Sequence, residues 1–388
     1  MTPSARVAAA IGLLDRWAEG GARAEPMLRA WGRANRYAGG GDRRAIADLV
    51  YDGLRRLRSL AHLSGAEGGR AVLHGMALEA GWDLDALFCG GRWGPEPLTE
   101  AERAAPLGPA PDPVRLDHPD WLEARLKASL GARYEASMLA MRARAPVDLR
   151  VNLPKGGRAA ARAALAKEGI ETEELAEPGA LRAAPGAPVA RTAAWDAGLI
   201  ELQDEASQAG ASFGAAAPGE TVLDFCAGGG GKALAFASMM GGRGRIVAHD
   251  AAPVRMRDIP ARAARAGARI EIADRAALTG LRDRCDLVFV DAPCSGSGTW
   301  RRDPEAKWRL DEARLAGLVA AQQEATADAL AYLAPGGRLV FATCSILDEE
   351  TAGAARAIAS AHGLILETEM RRLPDEGADG FYAARLTR

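Results

Sequence analysis

Two of the five cysteines in this 388-residue chain sit in polar company. Asp291-Ala292-Pro293-Cys294-Ser295-Gly296-Ser297-Gly298-Thr299 sets a carboxylate three residues before a thiol, and Phe341-Ala342-Thr343-Cys344-Ser345 sets a second thiol between two hydroxyls. Upstream, Asp224-Phe225-Cys226-Ala227-Gly228-Gly229-Gly230-Gly231-Lys232 holds one of only five lysines inside a glycine run. Glycines let a chain turn sharply and bring backbone N–H groups against a ligand. A phosphate loop of the form G-x-x-x-x-G-K-[ST] fails twice, because Cys226 replaces its first glycine and Ala233 its Ser/Thr. A dinucleotide fingerprint is met by Gly228, Gly230 and Ala233, with Asp250 twenty residues past Gly230 to hold a ribose, although four consecutive glycines satisfy many patterns. The loop indicates a nucleoside cofactor and leaves open which one.

Asp250 has a second reading as a helix cap ahead of Pro253. Asp274 either meets an adenine amino group or caps a helix, and His249 reads as structural. The odd cysteine count without a C-x-x-C pair argues against a disulfide framework and against a zinc site, so no metal is expected. Lone cysteines are usually small buried hydrophobes, the reading adopted for Cys285, and Cys89 has no chemical context.

A nucleoside cofactor, a carboxyl group and one or two thiols suit methylation at carbon-5 of a pyrimidine. That carbon is a poor nucleophile until a thiolate adds at carbon-6 and makes it enamine-like, able to accept the methyl group of S-adenosylmethionine. Charge then develops towards the N3 and O2 edge, where an acid helps. A base must afterwards remove the carbon-5 proton so that the thiol can leave. A free thiol with a pKa of about 8.5 is mostly protonated at neutral pH, which makes Lys232 a plausible cation to favour the thiolate.

These residues need elements to position them. Apolar runs at 222–225, 246–248, 270–272, 287–290 and 339–342 alternate with helical stretches at 231–240, 253–266 and 311–333. That pattern predicts an α/β domain over 206–388, a mainly parallel sheet covered on both faces, with ligands beyond the carboxyl ends of the strands. Residues 1–88 read as an all-helical domain, 89–119 as a Pro/Gly-rich linker, and 120–205 as a helix followed by a small α/β segment with strands near 149–152 and 170–175. Two or three domains also fit the length at roughly 150 residues each.

Apolar residues make up 48% and charged residues 26%, a globular composition, and no apolar run approaches the ~18 residues of a membrane span. The amphipathic start is not a signal peptide, so a cytoplasmic protein without a membrane partner is expected. The net charge of −2 hides eleven Arg against six Asp plus Glu in residues 1–60, a basic face suited to nucleic acid or simply a solvated helix surface.

At this point the chain resembles the Sun family of RNA cytosine-C5 methyltransferases, the RsmB/Fmu type that modifies small-subunit ribosomal RNA. VLDFCAGGGGK, VFVDAPCSGSGTWRRDPEAKW and FATCS are similar to the family's cofactor loop and its two cysteine motifs. HPDWL, LRVNLPK, LIELQDEASQ and the terminal DGFYAARL resemble its other segments, and 1–88 resembles a NusB-like RNA-binding domain. The resemblance implies a Rossmann-like methyltransferase domain and S-adenosylmethionine held by Cys226, Ala227, Gly228, Gly229, Gly230, Gly231, Lys232, Asp250, Arg255, Asp274 and Asp291. It implies Cys344 as nucleophile and Cys294 as the residue assisting breakdown of the covalent adduct. Asp291 would contact the target base, and Lys232 would lie near the reacting centre. DNA cytosine methyltransferases use the cysteine of their P-C motif instead.

The family's usual C-A-A-P-G-G-K-T departs here, with Gly228-Gly229 for Ala-Pro and Ala233 for Thr, which raises the entropy lost on ordering the loop. A modest change in cofactor affinity is expected. The partner implied is RNA, in a single-stranded or loop region, met by a monomer. The basic N-terminal helices, Arg150, Asn152, and Arg301-Arg302-Asp303-Pro304 with Lys307-Trp308 are candidate RNA contacts. Two alternatives remain, a nicotinamide-dependent dehydrogenase, which leaves both cysteine motifs unexplained, and a catalytically weak or inactive RNA-binding assembly factor.

Overall fold

The computed structural model describes residues 1–20, 22–104 and 108–388, which form two compact units, Met1–Arg144 with Trp300–Arg309, and Ala145–Thr299 with Leu310–Arg388. Among the described residues no helix is long and apolar enough to cross a membrane.

The first unit is helical. Thr2 caps the helix Pro3–Ala18 through its side chain, and Val7, Leu13 and Leu14 on that helix pack with Ile46, Val50 and Leu54 of Gly40–Arg55. The helices Leu57–Ser64 and Gly68–Ala80 meet so closely that a Cβ on Gly75 would lie 1.9 Å from the Leu60 carbonyl oxygen, so only glycine fits there. The sequence reading ended the helical domain at 88, whereas the compact unit runs on to Arg144. Residues 89–104 and 108–119, read as linker, carry the short helices Glu100–Arg103 and Asp112–Arg115. Asp117 beyond them is fully buried and accepts the amides of Arg58 and Ser59 at 3.0 and 2.9 Å. Pro106, counted in that linker, lies outside the described residues.

Residues 300–309 belong to this unit by contact. Glu305 is buried and accepts from Trp17 Nε1 and the Ala24 amide, both at 3.1 Å. Trp308 Nε1 donates to the Leu54 carbonyl at 2.7 Å, and Lys307 Nζ donates to the Arg55 carbonyl at 2.7 Å. Burial brings the Lys307 ammonium down to about 8. Arg301 and Lys307, offered above as RNA contacts, are 5% and 1% exposed. Lys307 and Trp308 thus anchor the segment, because a buried ammonium and an indole N–H each need an acceptor.

The second unit holds two sheets. Strands β1 (Val147–Val151), β2 (Thr172–Glu174), β3 (Ala180–Ala183) and β4 (Ile200–Leu202) form an antiparallel sheet in the order β2-β3-β1-β4. The large sheet comprises β5 (Thr221–Asp224), β6 (Arg245–Ala248), β7 (Glu271–Ile272), β8 (Cys285–Asp291), β9 (Leu333–Thr343), β10 (Ile365–Arg372) and β11 (Phe381–Thr387). Its order is β10-β11-β9-β8-β5-β6-β7. Strands β5 to β9 are parallel, and β11 runs antiparallel to both β9 and β10. The central strands are buried on both faces, with Val222, Leu223, Val288, Phe289, Val340 and Phe341 all at 0% exposure. The chain leaves β5 towards β6 on one side and reaches β8 on the other, so the strand order reverses beside β5, where open α/β sheets form their ligand crevice.

Candidate active site

The groups singled out after β5, β6, β8 and β9 lie at the carboxyl ends of these neighbouring parallel strands, along the edge of this crevice. After β5 the chain turns through Phe225–Gly230 into the helix Gly231–Met239. Gly228 and Gly230 adopt φ of +50° and +78°, and a Cβ on Gly230 would come within 2.8 Å of Ile259 Cγ1. The turn is tied down by its neighbours. The Gly228 amide donates to Asp250 Oδ2 at 2.9 Å, and the Ala227 amide donates to the His249 carbonyl at 2.8 Å. Asp250 also accepts the Ala252 amide at 2.9 Å and pairs with Arg255 at 3.1 Å. It therefore combines the capping role with a hold on the loop. His249 Nδ1 donates to the Ala273 carbonyl at 2.9 Å, in a buried structural position.

Asp224, at the end of β5, is fully buried, and neither oxygen has a hydrogen-bond partner of normal geometry. Burial pushes its carboxyl up to about 7, against the opposing pull of Lys232. A buried carboxyl left so poorly satisfied is costly in isolation and suits a crevice completed by a polar or cationic ligand. With the left-handed glycines of the turn beside it, the crevice fits a nucleoside cofactor carrying a positive centre.

Strand β8 ends at Asp291, whose Oδ2 lies 2.6 Å from Lys232 Nζ. Burial works against the lysine's charge, but Asp291 and Asp224 outweigh it, and its pKa is raised. The Lys232 ammonium also stands 5.2 Å from the centre of the buried Phe381 ring. The adjacent β9 ends at Thr343, and the loops beyond β8 and β9 are stitched by Ala292 N to the Ala342 carbonyl at 2.8 Å and Gly298 N to the Cys344 carbonyl at 2.9 Å. The result is that Cys294 Sγ and Cys344 Sγ are 3.4 Å apart. Hydrogen bonding to Cys344 and burial hold the Cys294 thiol well above its ordinary pKa.

The other cysteines differ. Burial pushes Cys226 and Cys285 up to about 12, and Cys285 is core, as its sequence context indicated. Asp274 is exposed and caps the turn Ala277–Leu281 through the Ala277 amide at 2.8 Å, the capping alternative raised for it.

Arg150 and Asn152, offered as RNA contacts, are occupied within the protein. Arg150 Nη1 donates to the Gly231 carbonyl at 2.7 Å and to Gln203, and burial brings its guanidinium down to about 10. Asn152 Nδ2 donates to the carbonyls of Gly198 and Ala266 at 3.0 and 2.8 Å. The residue that sequence reasoning missed is Glu350, buried against both cysteine loops. Its only sequence signal is an acid shortly after Thr343-Cys344-Ser345, with nothing to mark it as inward-facing.

Fold and site together define a Rossmann-like methyltransferase. Residues 213–387 match the model for the 16S rRNA methyltransferase RsmB/F, and residues 118–190 match the RsmF/B-like ferredoxin-like domain. Ribosomal RNA small subunit methyltransferase B of Sodalis glossinidius is 32% identical over 307 residues, 75% of this chain and 69% of that protein. The protein of the same name from Pasteurella multocida is 30% identical over 293 residues, 69% of this chain and 65% of that protein's length. The crystal structure of PH0851 superposes over 100% of this chain and 99% of that one, with a TM-score of 0.77 at 24% identity, a likeness of fold. The chain belongs to the RsmB/F family of rRNA methyltransferases. Its cofactor is accordingly S-adenosylmethionine.

Proposed function

We propose that the protein methylates carbon-5 of a cytosine in small-subunit ribosomal RNA through a covalent adduct with Cys344. The observation that carries this reading is the pair of thiols 3.4 Å apart, beside the Lys232–Asp291 ion pair at the carboxyl ends of β8 and β9. Residues 226–232 with Asp250, Arg255 and Asp291 would hold S-adenosylmethionine, which would supply an electrophilic methyl group for carbon-5.

The chain's own residues do the rest. The family resemblance gives Cys344 the part of thiolate nucleophile and Cys294 the part in release, and the Lys232 ammonium, paired with Asp291, is the cation held at this edge of the sheet. The thiolate adds to carbon-6, and the electron pair of the 5,6 double bond becomes available at carbon-5. Asp291 faces the base and, with Lys232, balances charge that develops along the ring. After methylation a base takes the proton from carbon-5, the electron pair of that C–H bond re-forms the 5,6 double bond, and the carbon–sulfur bond breaks to return Cys344 as thiolate, with Cys294 beside the departing sulfur to assist. The target base must stand out of its stack to enter, which favours a loop or single strand.

The test is transfer of radiolabelled methyl groups from the cofactor to unmodified small-subunit rRNA, followed by bisulfite mapping of the product. Incorporation at a bisulfite-resistant cytosine is expected. Cofactor binding without incorporation would favour the alternative of an assembly factor that has lost turnover.

A further inference from the structure

We propose that Glu350 is the positioning residue that holds the two cysteines at reacting distance. The inference rests on the covalent mechanism above and extends it to a residue that touches neither base nor cofactor. Glu350 ends the short turn Asp348–Glu350 and is 0% exposed. Its Oε1 accepts the Ser295 amide at 2.8 Å and Gln322 Nε2 at 3.1 Å, and its Oε2 accepts the hydroxyls of Ser345, at 2.7 Å, and Ser295. Ser295 follows Cys294 in the chain and Ser345 follows Cys344. One carboxylate thus grips the immediate neighbours of both sulfurs.

The surroundings extend the grip. Thr343, on the other side of Cys344, donates its hydroxyl to the Glu350 carbonyl at 2.9 Å, and Gln322 also donates to the Pro293 carbonyl at 3.0 Å, just before Cys294. Ser297 and Ser345 share a hydrogen bond of 2.8 Å, and Ser297 Oγ accepts the Ile346 amide at 2.9 Å. The four donors to the carboxylate are all neutral, and burial raises its pKa. A hydrophobic residue would fill the same volume without the cost of burying a charge. What only a carboxylate supplies here is two oxygens that each accept two donors, drawn from both cysteine loops and the helix Glu312–Ala329, and so fix the distance between the loops.

A reaction with two thiols in sequence is sensitive to that distance, since a misplacement of about 1 Å can cost on the order of 100-fold in rate. The two arms also make separable predictions, because Ser345 borders the nucleophile and Ser295 borders the residue assigned to release.

The test uses Glu350→Gln, Ser295→Ala and Ser345→Ala in the full chain. Glu350→Gln should lower kcat about 10- to 100-fold with KM for RNA and for the cofactor within about 3-fold of wild type. Ser345→Ala should slow formation of the RNA adduct, whereas Ser295→Ala should let the adduct accumulate. A second readout needs no methyl transfer. Phenylarsine oxide condenses with two neighbouring thiols, forming two As–S bonds and releasing one water, so its affinity reports the spacing of Cys294 and Cys344. Glu350→Gln should weaken that capture at least 10-fold, with Cys344→Ser as the single-thiol control.

Capture and kcat equal to wild type in all three variants would overturn the proposal. Should Glu350→Gln fail to fold, the two serine variants decide the matter. If wild-type protein transfers no methyl group to cytosine, the covalent mechanism fails, while arsenical capture still judges the clamp.

Discussion

Lys232 Nζ and Asp291 Oδ2, 2.6 Å apart, join the helix that follows the glycine loop to the end of β8. The pair fixes a cation beside the two thiols, and that cation opposes the buried charge of Asp224 from the first turn of the helix.

Replacing Lys232 with Met should reduce methyl transfer at least ~100-fold, the scale of losing one electrostatic contact to developing charge. It should also destabilise the fold by about 2–3 kcal/mol, less than the ~3–5 of a fully buried broken pair because Asp291 is 31% exposed. The lysine's pKa is raised in the folded state from 10.5, so its contribution is present below that pH and is lost as pH rises through the folded value. Urea unfolding of wild type and variant should therefore differ at pH 8, with the difference starting to shrink only as pH rises past about 10.5 towards the raised folded value.

Asp224→Asn should stabilise the ligand-free protein at alkaline pH. The carboxyl titrates at about 7 when folded against 3.8 as the reference, so the native state retains a proton that the unfolded chain releases between those values. Stability falls with rising pH across that window, by roughly 4 kcal/mol in all, and Asn removes the dependence. Thermal unfolding at pH 4 and pH 8 checks this. Equal midpoints for variant and wild type at pH 8 would show that Asp224 is not held in a strained state.

Gly230→Ala should weaken cofactor binding about 10-fold or more in calorimetric titration, since a side chain at φ +78° costs ~1–2 kcal/mol and its Cβ meets Ile259 at 2.8 Å. Gly317→Ala, within the helix Glu312–Ala329 and facing open space, should instead stabilise by up to about 1 kcal/mol and leave binding unchanged.

Strands β5, β6, β8 and β9 were legible because each carries a short apolar run buried on both faces, and their ends marked the crevice, whereas β7 is an exposed two-residue edge strand. Strand β10 was not, since Ile365-Leu366-Glu367-Thr368-Glu369-Met370-Arg371-Arg372 lies at the sheet edge with mostly exposed residues and carries no apolar run. Its partner β11 is buried, and nothing local shows that it runs antiparallel to β9. Arg150 and Lys307 show the converse error. A basic residue near a motif reads as an RNA contact until its tertiary partners, the Gly231 and Arg55 carbonyls, are seen. Residues 89–119 looked like linker by proline and glycine content, yet Asp117 within them is a buried acceptor for the helix at Leu57–Ser64 and its approach. Glu350 was invisible for the same reason, because burial of a charge among distant serines leaves no local trace.

The most direct measurement is denaturing gel analysis of each cysteine variant after incubation with substrate RNA and S-adenosylmethionine. The account predicts a covalent RNA–protein band that accumulates with Cys294→Ala, and neither band nor methylation with Cys344→Ala. A band that appears with Cys344→Ala and is absent with Cys294→Ala would reverse the two roles, and no band with either, alongside normal methylation, would contradict the covalent mechanism.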